Sequence, residues 1–276
     1  METLWNGLRH NRAFRVSTCL VLLLAMVAVF APQLSPYAPL KARMRDAYQP
    51  PSAQHWFGTD KLGRDCYTRV LYGARLSLSS VIVLVGLIFI LGTTLGVVAG
   101  YAGGWADALI MRISDMMISF PGMILAIAIA GILGGSLFNA MAALTIVTWT
   151  KYARLSRSMV LQVKERDFVE AARVNGGKPL HILMVHIVPN ILPLMVITAA
   201  SDIGAMMMEL AGLSFLGFGS QPPAPEWGLM LNEGRQQFQS APWLMVFPGL
   251  AIFVTVVVFN LWGDALRDVF DPRQEN

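Results

Sequence analysis

Six apolar runs constrain this chain more than any other feature: about Val16–Leu34, Leu76–Tyr101, Ile110–Leu133, Leu137–Tyr152, Ile191–Ala211 and Leu244–Leu261. Each is near the length that crosses a bilayer as a helix. Hydrocarbon offers the peptide backbone no hydrogen-bond partner, so such runs satisfy their own N–H and C=O groups by coiling. The expected fold is all-α, a polytopic membrane protein with about six transmembrane helices. Composition agrees: the chain is 55% hydrophobic and 14% charged, with a mean hydropathy of +0.55, whereas soluble domains carry about 25% charged residues. At 276 residues a single membrane domain is the natural reading. The first run follows Arg9, Arg12 and Arg15, and Pro32 directly follows its best small-residue site, Val29-Phe30-Ala31. Proline there obstructs signal cleavage, so the run reads as a retained anchor.

Charge sets the expected orientation. Three arginines before the first run and none directly after it place the N-terminus inside. Six crossings return the C-terminus inside, with Arg267 and Arg273, and leave the loop at about 213–243 outside with Arg235 as its only base. One region conflicts. The outside segment 35–75 holds Lys41, Arg43, Arg45, Lys61, Arg64, Arg69 and Arg75, partly offset by Asp46, Asp60 and Asp65. Its prolines, Pro36, Pro39, Pro50 and Pro51, keep its first part irregular. Residues Cys66–Leu78 read as an amphipathic helix lying on the membrane and running into the second span, and the segment as a docking aid for a soluble protein. The net charge of +4 and the absence of nucleic-acid motifs fit loop retention better than nucleic-acid binding. Cys19 lies in an apolar run and Cys66 in a polar one, so no disulfide is expected.

A polar island, Glu170-Ala171-Ala172-Arg173-Val174-Asn175-Gly176, followed by Pro189, interrupts this apolar text. Lys164–Val174 can form a helix stopped by Asn175-Gly176-Gly177, residues that tolerate the left-handed conformation at a helix end. Ala171 and Ala172 let another protein approach the backbone, and Glu170 supplies a fixed charge. Pro179 can open a second helix, and Pro189 and Pro193 mark the approach to the fifth span.

This segment resembles the EAA loop of ABC importer permeases, with His186-Ile187-Val188-Pro189-Asn190 as its ending. His186 stands where the general pattern has an apolar residue, and His-x-x-Pro-Asn is similar to the peptide and nickel branch. Three further stretches resemble that branch: Phe57-Gly58-Thr59-Asp60-Lys61-Leu62-Gly63-Arg64-Asp65; Leu213-Ser214-Phe215-Leu216-Gly217-Phe218-Gly219 with Gln221-Pro222-Pro223 and Glu226-Trp227-Gly228; and Asn260-Leu261-Trp262-Gly263-Asp264-Ala265-Leu266-Arg267-Asp268 with Asp271-Pro272. The chain is thus identified with the dipeptide/oligopeptide/nickel permease family. The resemblance implies a permease subunit, with a type I ABC importer fold, of an ATP-driven, binding-protein-dependent importer for peptides, nickel or metal chelates. It implies a bacterial plasma (inner) membrane location with both termini cytoplasmic. The implied partners are a second permease subunit, two ATPase subunits and an extracytoplasmic solute-binding protein. ATPase coupling falls to Glu170, Ala171, Ala172 and Gly176. The implied division is a tail at 1–15, an anchor and outer segment at 16–75, a transmembrane domain at 76–265 containing the loop 163–190, and a tail at 266–276.

This chain is not expected to be an enzyme or to hold a cofactor. A phosphate loop needs Gly-x-x-x-x-Gly-Lys-Ser/Thr, but Ala172 and Pro179 occupy two of its positions around Gly176-Gly177-Lys178. ATP and magnesium would be bound by the partner ATPases. No metal motif is present. His10, His55, His181 and His186 are scattered over both sides and read as surface or interface groups rather than nickel ligands. Met206-Met207-Met208 read as core filler. Asp115, Asp202 and Glu209 carry more weight, because ionisable groups in or beside a span face a protein interior or a water path. Asp202 and Glu209 lie seven residues apart on one helix face; they either line the pathway or form a structural acid pair at a subunit interface. Asp264, Arg267 and Asp268 read as local salt bridging or capping. Two other classes remain open on the residues alone: an ion-coupled secondary transporter, and a membrane scaffold without a pathway.

Overall fold

A computed structural model describes residues 11–270. The principal helices are α1 (Arg12–Val29), α2 (Cys66–Ala102), α3 (Gly104–Ile118), α4 (Gly122–Leu133), α5 (Leu137–Lys164), α6 (Asp167–Val174), α7 (Val188–Phe215), α8 (Trp227–Gly234) and α9 (Trp243–Phe270). Among the described residues there is no strand, only one bridge between Thr59 and Asp65. Side chains that satisfy free backbone N–H groups fix several helix starts. Asn11 Oδ1 accepts from Phe14 N at 3.0 Å, Asp65 Oδ1 from Thr68 N at 2.7 Å and Ser136 Oγ from Asn139 N at 3.1 Å.

The bundle is tightest between α2 and α5. Gly92, Gly96 and Gly100 recur every four residues and so form one stripe along α2. A Cβ on Gly96 would lie 2.0 Å from Ser156 Oγ and 2.1 Å from the Ala153 carbonyl oxygen; one on Gly92 would lie 2.5 Å from the Trp149 carbonyl oxygen. In lipid, helix association rests on close backbone approach, which small residues permit. The same device joins α7 to α9, where a Cβ on Gly204 would meet Asn260 Oδ1 at 2.5 Å. The main apolar core fills the space between α2, α4, α5, α7 and α9, with Leu84, Ile88, Leu144, Met195, Met207 and Leu210 fully enclosed.

Among the described residues, four helices are long and apolar enough to cross a membrane: α1, α2, the run Pro179–Phe215 that ends in α7, and α9. The third expected span is broken. α3 and α4 meet at 94° around Ser119-Phe120-Pro121, because proline lacks the N–H and fixes a turn geometry that ends the helix before it. Together the pair is long and apolar enough for one broken span or a re-entrant loop. α5 runs on past Tyr152 to Lys164 and is 28 residues long, about 42 Å at helical rise. Its lower half carries Lys151, Arg154 and Arg157, and it is not among the helices apolar enough to cross a membrane, so the described residues hold four such helices, or five with the bent pair, where about six were expected. The helical array therefore agrees with the multi-pass reading while moving its boundaries.

Three further boundaries differ from the sequence expectation. Cys66–Leu78 does not lie on the membrane: it forms the first turns of the continuous 37-residue α2, and Cys66 and Leu71 are buried in the protein. The island helix begins at Asp167 rather than Lys164, after a break at Glu165-Arg166. Helical structure also precedes the fifth run. Pro179–His181 form a turn, and Ile182–Ile187 widen into a π-turn before Pro189. A proline ring collides with the carbonyl four residues back, and a widened turn relieves that collision.

Candidate functional site

α6 is held by one side and presents the other. Val169 is fully buried in a small cluster with Val97 of α2, Val160 of α5, and Ile182, Ile187 and Ile191 of the following segment; Ala172, one turn on, packs against it. Glu170, Ala171, Arg173 and Val174 face out. The helix ends in a tight cap. Gly176 has φ +78°, Gly176 N donates to the Arg173 carbonyl at 2.9 Å, and Gly177 N donates to the Ala172 carbonyl at 3.0 Å. This double return satisfies the last carbonyls and requires a left-handed residue at Gly176. The expected stop at Asn175-Gly176-Gly177 is therefore realised, and Pro179 opens the next helical turn.

Tyr101 at the foot of α2 joins the pieces. Its hydroxyl donates to the Pro179 carbonyl at 2.7 Å, and its carbonyl accepts from Lys164 Nζ at 3.0 Å. Val174 at the end of α6 and Leu180, Met184 and Val185 on the segment that follows are exposed apolar residues. The result is a short rigid helix on a defined base, with a charge and a small residue facing outward. His181 and His186 lie 6.0 Å apart between ring centroids at this surface, beside Phe168. The interface reading fits their place.

The interior acids separate into two kinds. Asp202 accepts from Lys151 Nζ at 2.7 and 2.8 Å and from the Tyr152 hydroxyl at 2.9 Å. Lys151 and Tyr152 were not singled out as its partners from sequence, because they come from a helix 50 residues away. Glu209, half-buried on the same face two turns along, has no hydrogen bond among the described residues. Asp115 is paired with Arg154, and Asp107 binds Arg157 through two bonds of 2.5 and 2.6 Å. These pairs fasten α3 alongside α5. Met206 and Met207 are core filler, whereas Met208 is exposed. Asp264, Arg267 and Asp268 are exposed at the end of α9 and make no ion pair among the described residues. Arg9, His10, Asp271, Pro272 and Arg273 lie outside the described residues. Cys19 and Cys66 are both free.

The other end of the molecule carries a compact cap. Thr59 and Asp65 bridge, Phe57 stacks on Phe247 of α9 at 3.8 Å, and Trp243 Nε1 donates to the Thr59 carbonyl at 3.2 Å. Gly63 has φ +67°, and a Cβ there would lie 1.9 Å from the Arg43 carbonyl oxygen. His55 is buried rather than at the surface, with Nδ1 at 2.8 Å from Asp65 Oδ2. Three of the seven bases of segment 35–75, Lys61, Arg64 and Arg69, are folded into a charge cluster. Asp60 binds Arg64 at 2.6 Å and Arg69 at 2.5 Å, and Glu233 of α8 binds Arg69 at 2.8 Å and Arg64 at 3.3 Å. Burial pushes the Glu233 carboxyl up, but Arg69, Arg64 and Lys61 outweigh it and hold the group below the usual carboxylate range. Glu233 was missed from sequence because nothing local marks it; its arginines arrive from more than 160 residues away. Near it, burial pushes the Glu226 carboxyl up, with partial relief from the N–H groups of Gly228 and Leu229, which donate to it at 2.8 Å and so start α8.

Comparison with known proteins adds identity to this geometry. Residues 92–276 match the family model described as "Binding-protein-dependent transport system inner membrane component", and residues 1–51 match "N-terminal TM domain of oligopeptide transport permease C". The chain is 45% identical over 269 residues to a dipeptide transport system permease protein of Alkalihalophilus pseudofirmus, covering 98% of this chain and 88% of that one. It is 46% identical to a glutathione transport system permease protein of Pectobacterium atrosepticum, covering 98% and 90%. A probable D,D-dipeptide transport system permease protein of Escherichia coli is 42% identical, covering 93% and 86%. Among solved structures, an inward-facing form of the MetNI methionine ABC transporter matches with a TM-score of 0.58 at 20% identity, covering 72% of this chain and 95% of that one. This last likeness concerns the fold alone.

Proposed function

The chain belongs to the family of binding-protein-dependent transport system inner membrane components, and we propose that within it the chain is the peptide-importer permease subunit that couples to an ATPase through α6. It is a multi-pass membrane protein. The proposed substrates are short peptides, since the similar permeases are named for dipeptides, D,D-dipeptides and glutathione. The proposed partners are a second permease, with the pathway between the two, two ATPase subunits that bind ATP and magnesium, and an extracytoplasmic binding protein. Both termini and α6 face the cytoplasm, and the Phe57–Asp65 cap faces out. The division into a tail at 1–15, an outer portion at 16–75, a transmembrane domain at 76–265 and a tail at 266–276 belongs to the same proposal.

The observation that carries the coupling role is the one-sided anchoring of α6: Val169 is enclosed while Glu170 and Ala171 stand free above a closed glycine cap. Closure of an ATPase dimer moves its surface as a rigid body. A receiving helix transmits that motion only if it cannot yield at its own base. α6 is tied to α2, α5 and the foot of α7 through a single cluster, so a push on Glu170–Val174 reaches three spanning helices at once. Those helices bias the bundle between two arrangements. Asp202 and Glu209 are proposed to border the pathway: Lys151 neutralises the first, which leaves Glu209 as the group that attracts a peptide's ammonium end.

Co-purification from native membranes, with ATPase and transport assays of Glu170→Ala and Gly176→Pro, tests the reading. Partner ATPases and a sister permease are expected to accompany the chain. Both variants should insert normally and lose substrate-stimulated hydrolysis. A chain that purifies alone and moves solute down an ion gradient overturns it.

A further inference from the structure

A groove of about 510 Å³ lies between α1, α2 and α9, away from both the island and the outer cap. Its walls are apolar: Val21, Leu24 and Ala25 from α1, Ile82 from α2, and Phe259 and Trp262 from α9. At one end the lining includes Arg75, with Ser79 one turn below it. Arg75, Leu78, Ser79 and Ile82 stand at positions i, i+3, i+4 and i+7, so one face of α2 carries the charge at its top and apolar surface beneath.

Two features need an occupant. First, Arg75 is exposed, and the ion pairs of the outer cluster use Lys61, Arg64 and Arg69 and leave Arg75 out. A guanidinium presents a planar fork suited to phosphate. Second, Arg75 is 26 residues before Tyr101, about 39 Å along the helix, and Tyr101 touches the island. A bilayer's hydrocarbon core is about 30 Å thick. Arg75 therefore stands at the level of the headgroups opposite the island, and the groove below it lies at acyl-chain depth. An open apolar groove at that depth faces hydrocarbon rather than water.

We propose that this groove binds one anionic phospholipid from the leaflet opposite the island, its phosphate on Arg75 and an acyl chain between α1, α2 and α9. A basic residue at the mouth of an apolar cleft between spans is the chemistry that selects a charged headgroup. A neighbouring protein helix would bury the Arg75 charge unless it carried an acid opposite, so the lipid is the occupant that the charge favours. The bound lipid would join α1, which packs on few elements of its own chain, to the bundle.

The test counts lipid on the complex purified from native membranes, by native mass spectrometry, with phosphatidylglycerol and phosphatidylcholine each added back. Wild type should retain one phosphatidylglycerol in preference to phosphatidylcholine. Loss of a hydrogen-bonded charge corresponds to about a tenfold drop in retention for Arg75→Gln. Ala25→Phe, at an exposed position on the groove wall, should fill the groove and lower retention by a similar factor with Arg75 intact. The readout is lipid bound to the membrane protein, so it stands whether or not α6 couples to an ATPase. Equal retention of the two lipids overturns the proposal. So does a loss in Arg75→Gln that Ala25→Phe does not share, because Arg75 then merely reaches surface phosphate. A photo-crosslinker at Ala25 that captures a sister subunit instead of lipid also overturns it, since a protein helix then fills the groove.

Discussion

Replacing Glu233 by glutamine should loosen the outer cap without touching the bundle below it. Arg64 and Arg69 are each 2% exposed and share two carboxylates, Asp60 and Glu233, so the buried centre is balanced. Lys61 is peripheral, with a half-exposed side chain at 3.5 Å. Glu233→Gln keeps the shape and removes one charge, leaving two enclosed guanidinium groups facing one carboxylate. Breaking a buried ion pair from one side costs about 3–5 kcal/mol, because the remaining charge is uncompensated. At about 1.4 kcal/mol per factor of ten, opening of the cap becomes at least about a hundredfold more frequent. Tryptic cleavage after Arg64 reads that opening, since the residue is enclosed in the closed cap and cleavage follows the open population when reclosing is fast. Spheroplasts expose the outer face, so cleavage there should rise by about that factor, while the α2–α5 core stays protected. The double variant Arg69→Met with Glu233→Leu removes one charge of each sign and should restore most of the protection. The Glu233 carboxyl is depressed in the folded protein, so its contribution is present above its unfolded pKa. It is lost only as the pH falls through the folded value, below 4.5. Cap opening, read as amide hydrogen exchange at Arg64 corrected for its intrinsic pH dependence because trypsin itself loses activity in acid, should accordingly be flat from pH 8 to 5 and rise in stronger acid. Wild-type cleavage rates in Glu233→Gln would refute the reasoning.

Gly176→Val places a branched residue at φ +78° and should cost about 1–2 kcal/mol; the permease should still insert and assemble, while substrate-stimulated ATP hydrolysis falls. Gly96→Leu drives a side chain into the Ala153 carbonyl and Ser156; overpacking of this kind costs at least about 1–3 kcal/mol, seen as a lower unfolding temperature and reduced membrane abundance, with Gly86→Leu as the neutral control because nothing lies near that position. Asp202→Asn leaves Lys151 without its carboxylate, so transport of peptides with a free ammonium end should weaken while binding-protein docking is unchanged; equal transport of N-acetylated and free peptides in both proteins would remove Asp202 and Glu209 from the pathway.

The amino-acid sequence by itself determined the class of the molecule. Apolar runs in a chain with 14% charge have one solvent in which they can be satisfied, and there the backbone must coil. It also determined the island's cap, because the Asn175-Gly176-Gly177 stop is a local matter: the left-handed turn and its two return bonds involve residues within five positions of one another. Its outward face was only partly legible: Ala171 and Ala172 both read as approachable by a partner, but Ala172 packs inward with Val169 while Glu170, Ala171 and Arg173 face out. The glycines at 92, 96 and 100 recur every four residues, but such a repeat names no partner. Only the fold brings α5 against them.

What tertiary structure alone decided is pairing across distance. Lys151 finds Asp202, Arg157 finds Asp107, and Arg64 and Arg69 find Glu233, and no local rule links those positions. That is also why segment 35–75 conflicts with the charge rule when read linearly: three of its bases are neutralised by groups on α8 and in its own loop, a fact that sequence order hides. Pro121 stands inside a run read from the sequence as one unbroken span, and the 94° bend there depends on which neighbours α3 and α4 each bury. Periodicity and propensity act over a few residues, whereas charge balance and backbone approach act through space. The first therefore survive in the sequence, and the second exist only once the helices have met.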